Sequence, residues 1–253
     1  MTQKAPIIPS GTTIPGIIIL AGGFGTRLRN VVADVPKCMA PVHGKPFLSY
    51  VIEYFRTQGV RNFIFSLGYK HEMIIDYLER AYSCLITDHS FMTFEYSIED
   101  HPLGTGGAIK KACTYCTCDN ILITNGDTLF AVDTEKVLAF HIVHDADCTI
   151  GVKPMKHFSR YGVIKLKRDR SVKNFSEKKY YREGLINGGF YVLNVRRFLH
   201  ESLPDKFSFE SDYLEQLYHE RKMYGLVQDK YFIDIGIPED YARAQTEFQT
   251  LKF

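Results

Sequence analysis

Apolar runs rich in β-branched residues alternate with segments of helical spacing through the first 153 residues of the chain. This rhythm predicts β-α-β units, in which parallel strands form one sheet and helices cover both of its faces. Ligands bind such sheets at the carboxyl ends of the strands, so the loops that follow the strands are the candidate sites. The predicted strands are 16–20, 62–69, 91–99, 120–127 and 148–153, and the predicted helices are 47–59, 71–82, 104–113 and 135–145.

The second half of the chain has a different pattern. Residues 161–178 are typical of short strands with a turn near Asp169, and 185–194 predict a strand that contains a pair of glycines. These segments predict a small β region added over one end of the sheet. The fold class is therefore α/β, with a doubly wound, mostly parallel sheet and an added β region in the C-terminal half. The remaining predicted elements are helix 209–221, strands 223–228 and 231–236, and helix 238–251.

Length and composition limit the class of protein. A chain of 253 residues with 45% hydrophobic and 24% charged residues is long enough to bury a core without metal or disulfides. A net charge of +2 gives no support for a nucleic-acid or membrane surface, so neither partner is expected. The apolar run 17–21 is too short for a membrane span or a signal peptide, which predicts a cytoplasmic protein. We expect an N-terminal leader over 1–15, loose up to residue 13, and then a single domain over 16–253.

Three of the six cysteines lie in the sequence CTYCTC, residues 113–118. Without a second CxxC or a histidine pair they give only a weak zinc signal. Reduced thiols around a helix end are the favoured interpretation.

The sequence GIIILAGGFGTRLRN, residues 16–30, joins a predicted strand to a glycine-rich turn that carries two arginines. Leu28 stands where a dinucleotide-binding fingerprint has its third glycine, and no lysine follows the glycines as an ATPase P-loop requires. A loop whose backbone N–H groups wrap a triphosphate fits better, with Arg27 as its cation and Lys37 as a second one. From this stretch alone, the alternative interpretation as a tight strand-to-helix turn with exposed arginines stays open.

Several further motifs follow in a fixed order, and together they are far more specific than any one of them. With these motif sequences in this order, the chain resembles the sugar-1-phosphate nucleotidyltransferases, and most closely the branch of guanylyltransferases that act on heptose 1-phosphates. The motifs are LAGGFGTRL, PKCMAPVHGKP (36–46), PLGTGGA (102–108), NGD (125–127), FSEK (175–178), INGG (186–189) and FIDIG (232–236).

The resemblance implies a Rossmann-like nucleotidyltransferase fold, with GTP and a sugar 1-phosphate as the substrates. Residues 16–130 would mainly bind the nucleotide and 150–253 the sugar phosphate. A mannose 1-phosphate guanylyltransferase, or an enzyme that uses UTP or dTTP, is the alternative within the family. A nucleotide-binding regulatory subunit without catalysis is the alternative outside it. The resemblance leaves a homodimer open. No acyltransferase repeat follows 238–251, so bifunctional relatives are not expected.

The resemblance also implies roles for individual residues. Asp127 and Asp234 would share one Mg²⁺, and Arg27, Lys37 and Asp127 would be the catalytic groups. Asp127 read alone is also typical of a turn or a helix N-cap. The nucleotide-binding set would be Leu20, Ala21, Gly22, Gly23, Gly25, Thr26, Arg27, Lys37, Glu99, Pro102, Gly104, Thr105 and Gly126.

Glu99 is the candidate for reading the base. A carboxylate only accepts hydrogen bonds, and guanine presents two adjacent donors, N1–H and N2–H₂. Uracil and thymine present one donor flanked by carbonyls, so a glutamate here favours GTP. An exposed glutamate at a strand end is the alternative.

The sugar phosphate is expected to meet residues of the second half of the chain. The glycine pair at 188 and 189 suggests close approach of a ligand to the backbone. Cys38 stands where relatives often carry proline or glutamine, and we expect this to affect packing more than chemistry. The sugar-phosphate set would be Tyr161, Gly162, Glu177, Lys178, Asn187, Gly188 and Asp234.

Overall fold

A computed structural model of the chain describes residues 14–23, 32, 35–87 and 92–251. Most of the predicted leader, and Gly25, Thr26 and Arg27 of the glycine-rich turn, lie outside the described residues. The strands are β1 Ile17–Leu20, β2 Pro41–Val42, β3 Lys45–Pro46, β4 Asn62–Leu67, β5 Thr93–Ile98, β6 Asn120–Asn125, β7 Thr128–Phe130, β8 Cys148–Phe158, β9 Val163–Leu166, β10 Val172–Ser176, β11 Tyr181–Asn194, β12 Met223–Val227 and β13 Phe232–Asp234. The helices are α1 Phe47–Thr57, α2 His71–Thr87, α3 Gly104–Ala112, α4 Thr134–Val143, α5 Val195–Leu199, α6 Glu215–Leu217 and α7 Pro238–Glu247. Short 3₁₀ turns lie at Lys37–Met39 and Cys113–Tyr115, and a π-helical segment at Phe209–Leu214.

Nine strands form the central sheet. Its order is β10-β9-β11-β6-β1-β4-β5, and β8 and β12 continue beside β11. The four strands β6, β1, β4 and β5 are parallel, whereas β11 pairs antiparallel with β6, β8 and β9. This arrangement confirms the predicted α/β class, with a mostly parallel central sheet and a β region added by the second half.

Side chains of β1 alternate between two hydrophobic clusters, one on each face of the sheet. Ile17 and Ile19 pack in the cluster that includes Phe55 of α1, and Ile18 packs in the cluster that includes Ile109 of α3. This is the period-two alternation of a strand that is buried on both faces. Among the described helices, none is both long enough and apolar enough to cross a membrane.

The strand order of the sheet reverses between β1 and β6. The next strand of this sheet along the chain, β4, pairs with one side of β1, while β6 pairs with its other side. In register, Leu20 at the end of β1 lies opposite Asn125 at the end of β6. A crevice at such a switch point is where doubly wound sheets bind ligands, because the loops leave in opposite directions.

Four predicted elements differ from the structure. The predicted helix 209–221 is a π-helical turn followed by the single helical turn of α6. Strands β8 and β11 are longer than predicted because their pairing with each other continues beyond the predicted segments, as far as Phe158 opposite Tyr181. Strand β13 pairs with β7 and lies outside the central sheet.

Candidate functional site

Two cavities meet at the carboxyl ends of β1 and β6. The first cavity, of about 380 Å³, lies between the glycine-rich turn and the start of α3. The second cavity, of about 650 Å³, lies between β11, the β9–β10 region and the π-helical segment. The residues that line both cavities are Thr105, Asn125, Asp127 and Glu210.

The wall of the first cavity brings Glu99 against the glycine-rich turn. Glu99 Oε2 accepts a hydrogen bond of 2.9 Å from the N–H of Leu103. Oε1 lies on the other side, where a Cβ on Gly22 would come within 2.8 Å of it. At Gly23 a Cβ would meet no atom of the described residues within 4 Å. The turn therefore offers main-chain groups to a ligand next to a carboxylate.

Most of the described candidates for the nucleotide line this cavity. Ala21 and Gly126 lie behind its wall, because the Ala21 N–H donates to Ser66 and the Gly126 N–H donates to Leu20. Lys37 lines the second cavity instead. The predicted residues that line the first cavity are Leu20, Gly22, Gly23, Glu99, Pro102, Gly104 and Thr105.

The second cavity brings together every residue that the sequence assigned to the sugar phosphate. They come from four separate stretches of the chain, which precede β9, follow β10 and lie in β11 and β13. Their joint placement does not by itself test their roles, which stay predictions. These residues are Tyr161, Gly162, Glu177, Lys178, Asn187, Gly188 and Asp234.

An ammonium group lies between two carboxylates at the junction of the cavities. Lys37 Nζ contacts Asp127 Oδ2 and is 3.5 Å from Asp234 Oδ1. Their side chains are only 14%, 30% and 20% exposed, so the charges are partly shielded from water. The two aspartates meet because β13 pairs with β7, and the N–H of Ile235 donates to the carbonyl of Asp127.

The donor chemistry at this junction fits Mg²⁺. Two carboxylates already converge on one cation, and oxygen ligands are those that Mg²⁺ prefers. Among residues 14–23, 32, 35–87 and 92–251, no cluster of three histidine, cysteine or acidic side chains could hold a metal ion. An ion here would therefore take two protein carboxylates and fill its other positions with phosphate oxygens and water.

Tyr161 borders Asp234 on the side away from Lys37. Its hydroxyl donates to Asp234 Oδ2 over 3.2 Å. Burial, and then the charge of Asp234, raises the pKa of the Tyr161 hydroxyl well above its usual value. The hydroxyl therefore stays protonated and acts as a donor.

The glycine pair of β11 has a cause in the packing of the chain itself. A Cβ on Gly188 would lie 2.3 Å from the ring of Phe130, and Gly189 has φ +69° at a bulge in the pairing of β11 with β8. Gly104 likewise has φ +71°, and its Cβ would lie 2.5 Å from the carbonyl oxygen of Phe207. Packing within the chain therefore already requires glycine at 188 and 189, and because both also line the second cavity, close approach of a ligand there stays a prediction.

Three further residues at the site were not singled out from the sequence. Asn125 and Glu210 line both cavities, and Arg160 contacts Asp234 and Tyr161. Asn125 opens the NGD motif, and this position was a usable signal. Glu210 was missed because its segment predicted an ordinary surface helix.

Of the described residues that line the two cavities, none is a cysteine. Burial, and then the charge of Asp127, raises the pKa of the Cys38 thiol to about 12, so Cys38 acts as a packing residue. Cys113 begins the 3₁₀ turn that follows α3, with Cys116 and Cys118 just after it. All three have free thiols around a helix end, as predicted.

Comparison with known proteins places these observations in a family. The profile of the family described as "Nucleotidyl transferase" matches residues 17–250. The chain is 52% identical over 232 residues to the D-glycero-alpha-D-manno-heptose 1-phosphate guanylyltransferase of Aneurinibacillus thermoaerophilus, which covers 92% of this chain and 97% of that protein. It is 39% identical over 224 residues to the protein of the same name from Campylobacter jejuni, covering 88% of this chain and 96% of that one.

Solved structures agree. Crystal structures of HddC from Yersinia pseudotuberculosis, one of them complexed with GMP-PN, match with a TM-score of 0.81. Their identities are 39% and 38%, and each comparison covers 92% of this chain and 99% of the crystallised one.

Proposed function

Because the chain belongs to the nucleotidyl transferase family, we propose that it transfers GMP from GTP to D-glycero-α-D-manno-heptose 1-phosphate. The products are GDP-heptose and pyrophosphate. The relatives described above support this choice of nucleotide and sugar, since two carry that activity in their names at 52% and 39% identity.

One observation carries the proposal on the structural side. Two cavities of unequal shape share Asp127, and a lysine lies beside it between two carboxylates. A transfer between two phosphate-bearing substrates needs this layout, because both must bring a phosphate to one point. We assign GTP to the first cavity and the sugar 1-phosphate to the second.

The reaction is attack by a phosphate oxygen of the sugar 1-phosphate on the α-phosphorus of GTP, with pyrophosphate as the leaving group. The nucleophile is already ionised near neutral pH, so the protein need not supply a strong general base. Its task is to align two anions and offset their charge. Lys37 supplies positive charge at the junction, and the backbone of Gly22 and Gly23 would approach the triphosphate closely. Arg27, from the undescribed part of the turn, would supply a second cation.

Mg²⁺ is the proposed cofactor, held by Asp127 and Asp234. When bound, it would neutralise phosphate charge and polarise the α-phosphate for attack. Lys37 Nζ, which now lies between the carboxylates, would then turn toward the phosphate oxygens.

Glu99 is the proposed reader of guanine. It lines the first cavity, and its carboxylate lies beside the turn that would hold the triphosphate. Both of its oxygens are acceptors, so they match the N1–H and N2–H₂ donors of guanine. Location in the cytoplasm and assembly as a homodimer stay predictions from the sequence.

The test is a pyrophosphate-release assay with the purified full chain. We expect release with GTP and the heptose 1-phosphate in the presence of Mg²⁺, and much slower release with UTP, dTTP or mannose 1-phosphate. Mannose 1-phosphate as the better acceptor would move the protein to another branch of the family. No release with any pair of substrates would favour a regulatory subunit.

A further inference from the structure

Arg160 lies between two carboxylates beside the second cavity. Its guanidinium Nη1 contacts Asp240 Oδ2, and Nη2 is 3.2 Å from Asp234 Oδ2. Nη2 also donates to the hydroxyl oxygen of Tyr161 over 2.8 Å. Both terminal nitrogens are therefore engaged, which limits rotation of the planar head group.

The two oxygens of Asp234 have separate partners. Oδ2 accepts from Arg160 and from the Tyr161 hydroxyl, both over 3.2 Å. Oδ1 accepts from the N–H of Gly236 over 2.7 Å and faces Lys37 Nζ at 3.5 Å. Arg160 and Tyr161 thus occupy one oxygen and leave the other directed at Lys37.

Arg160 also fixes the direction of the Tyr161 hydroxyl. Because Arg160 donates to the phenolic oxygen, the proton of Tyr161 is free to point at Asp234. One arginine therefore orders a carboxylate and a hydroxyl at the edge of the second cavity.

Charges alternate from the first turn of α7 to the end of β6. In order they belong to Asp240, Arg160, Asp234, Lys37 and Asp127. The row explains how three acidic side chains share a partly buried region, because a cation separates each neighbouring pair.

We propose that Arg160 is a positioning residue that holds Asp234 so that its Oδ1, the oxygen that faces Lys37, would be the one available to Mg²⁺ at the proposed site. This inference rests on the proposed function and deepens it. Groups that orient a metal ligand typically change metal affinity by about 10- to 100-fold when they are removed. The sign of the change is informative, because removing a positive charge alone would strengthen the binding of a divalent cation.

The experiment compares Arg160→Met with Arg243→Met. Arg243 is the matched control, because it also pairs with Asp240, at 3.2 Å, but makes its other ion pair with Glu247. Mn²⁺ is titrated into each protein saturated with the GDP-heptose product, and the EPR signal of free Mn²⁺ gives the dissociation constant. Product without protein provides the background, and thermal unfolding checks that each variant folds.

We expect Arg160→Met to raise the Mn²⁺ dissociation constant by about 10- to 100-fold. The KM for GTP should stay near the wild-type value, and Arg243→Met should match the wild type in both measurements. Arg160→Lys keeps the charge but lacks the planar fork, so it should restore folding if Arg160→Met unfolds, yet still weaken Mn²⁺ binding.

Unchanged or tighter Mn²⁺ binding in a folded Arg160→Met or Arg160→Lys protein would overturn the positioning role. The failure of the proposed function is separate and visible in the wild type, which would then release no pyrophosphate from GTP. In that case the wild-type protein alone would refute the proposed function, before any variant is compared.

Discussion

Substitution of Glu99 by glutamine is the sharpest test of base selection, because the structure fixes how the new amide must lie. The N–H of Leu103 donates to Glu99 Oε2, so a glutamine will keep its carbonyl oxygen there. Its NH₂ group must then replace Oε1, on the side of Gly22. An acceptor that faces the first cavity becomes a donor.

The magnitude follows from the hydrogen bonds. A bond to a charged group contributes about 1.5–3 kcal/mol, and a guanine N–H that meets an NH₂ group loses that bond. We expect kcat/KM for GTP to fall by about 10- to 150-fold at 1.4 kcal/mol per factor of ten. Pyrimidine triphosphates present carbonyl acceptors, so their kcat/KM should stay level or rise.

The assay is steady-state pyrophosphate release with GTP, UTP, dTTP and ATP at saturating heptose 1-phosphate. Glu95→Gln is the matched control, because Glu95 is an exposed residue of β5, the strand that ends just before Glu99, and loses the same charge. An unchanged preference for GTP in Glu99→Gln would mean that another group reads the base. A uniform loss with all four nucleotides would point to damage to the cavity rather than to base recognition.

Three further outcomes are expected. Asp127→Asn and Asp234→Asn should each lower kcat by at least about 100-fold with little change in melting temperature, and near-normal rates in both would remove the metal assignment. Gly188→Ala should destabilise the fold by about 1–3 kcal/mol, because its Cβ would lie 2.3 Å from the ring of Phe130; a raised KM for the sugar phosphate with unchanged stability would instead support ligand approach at this glycine. Burial lowers the pKa of His141 from 6.5 to about 4. The folded state therefore keeps His141 neutral while the unfolded chain takes up a proton below pH 6.5, so stability is full above pH 6.5 and is lost as pH falls toward 4. The loss is about 3 kcal/mol in total, and urea unfolding at pH 7.5 and pH 5 should show a smaller difference in His141→Gln than in the wild type.

Local patterns in the sequence were enough for the α/β class. Strand β1 is buried on both faces, so its residues read as a continuous apolar run, and helix α1 shows its pattern within eleven residues. Such signals depend only on neighbours along the chain. The lengths of β8 and β11 were missed because pairing with a distant strand, rather than local pattern, extends them.

The sequence by itself determined the central sheet, the loops at its carboxyl edge and the residue types that suit phosphate chemistry. Only the tertiary structure decided that Asp127 and Asp234 share one lysine, since the pairing of β7 with β13 joins positions 107 residues apart. It also decided why Gly188 must be glycine, and that Arg160 holds Asp234. Periodicity reports the environment of a backbone segment, whereas the partners of one side chain depend on contacts between segments that no local pattern encodes.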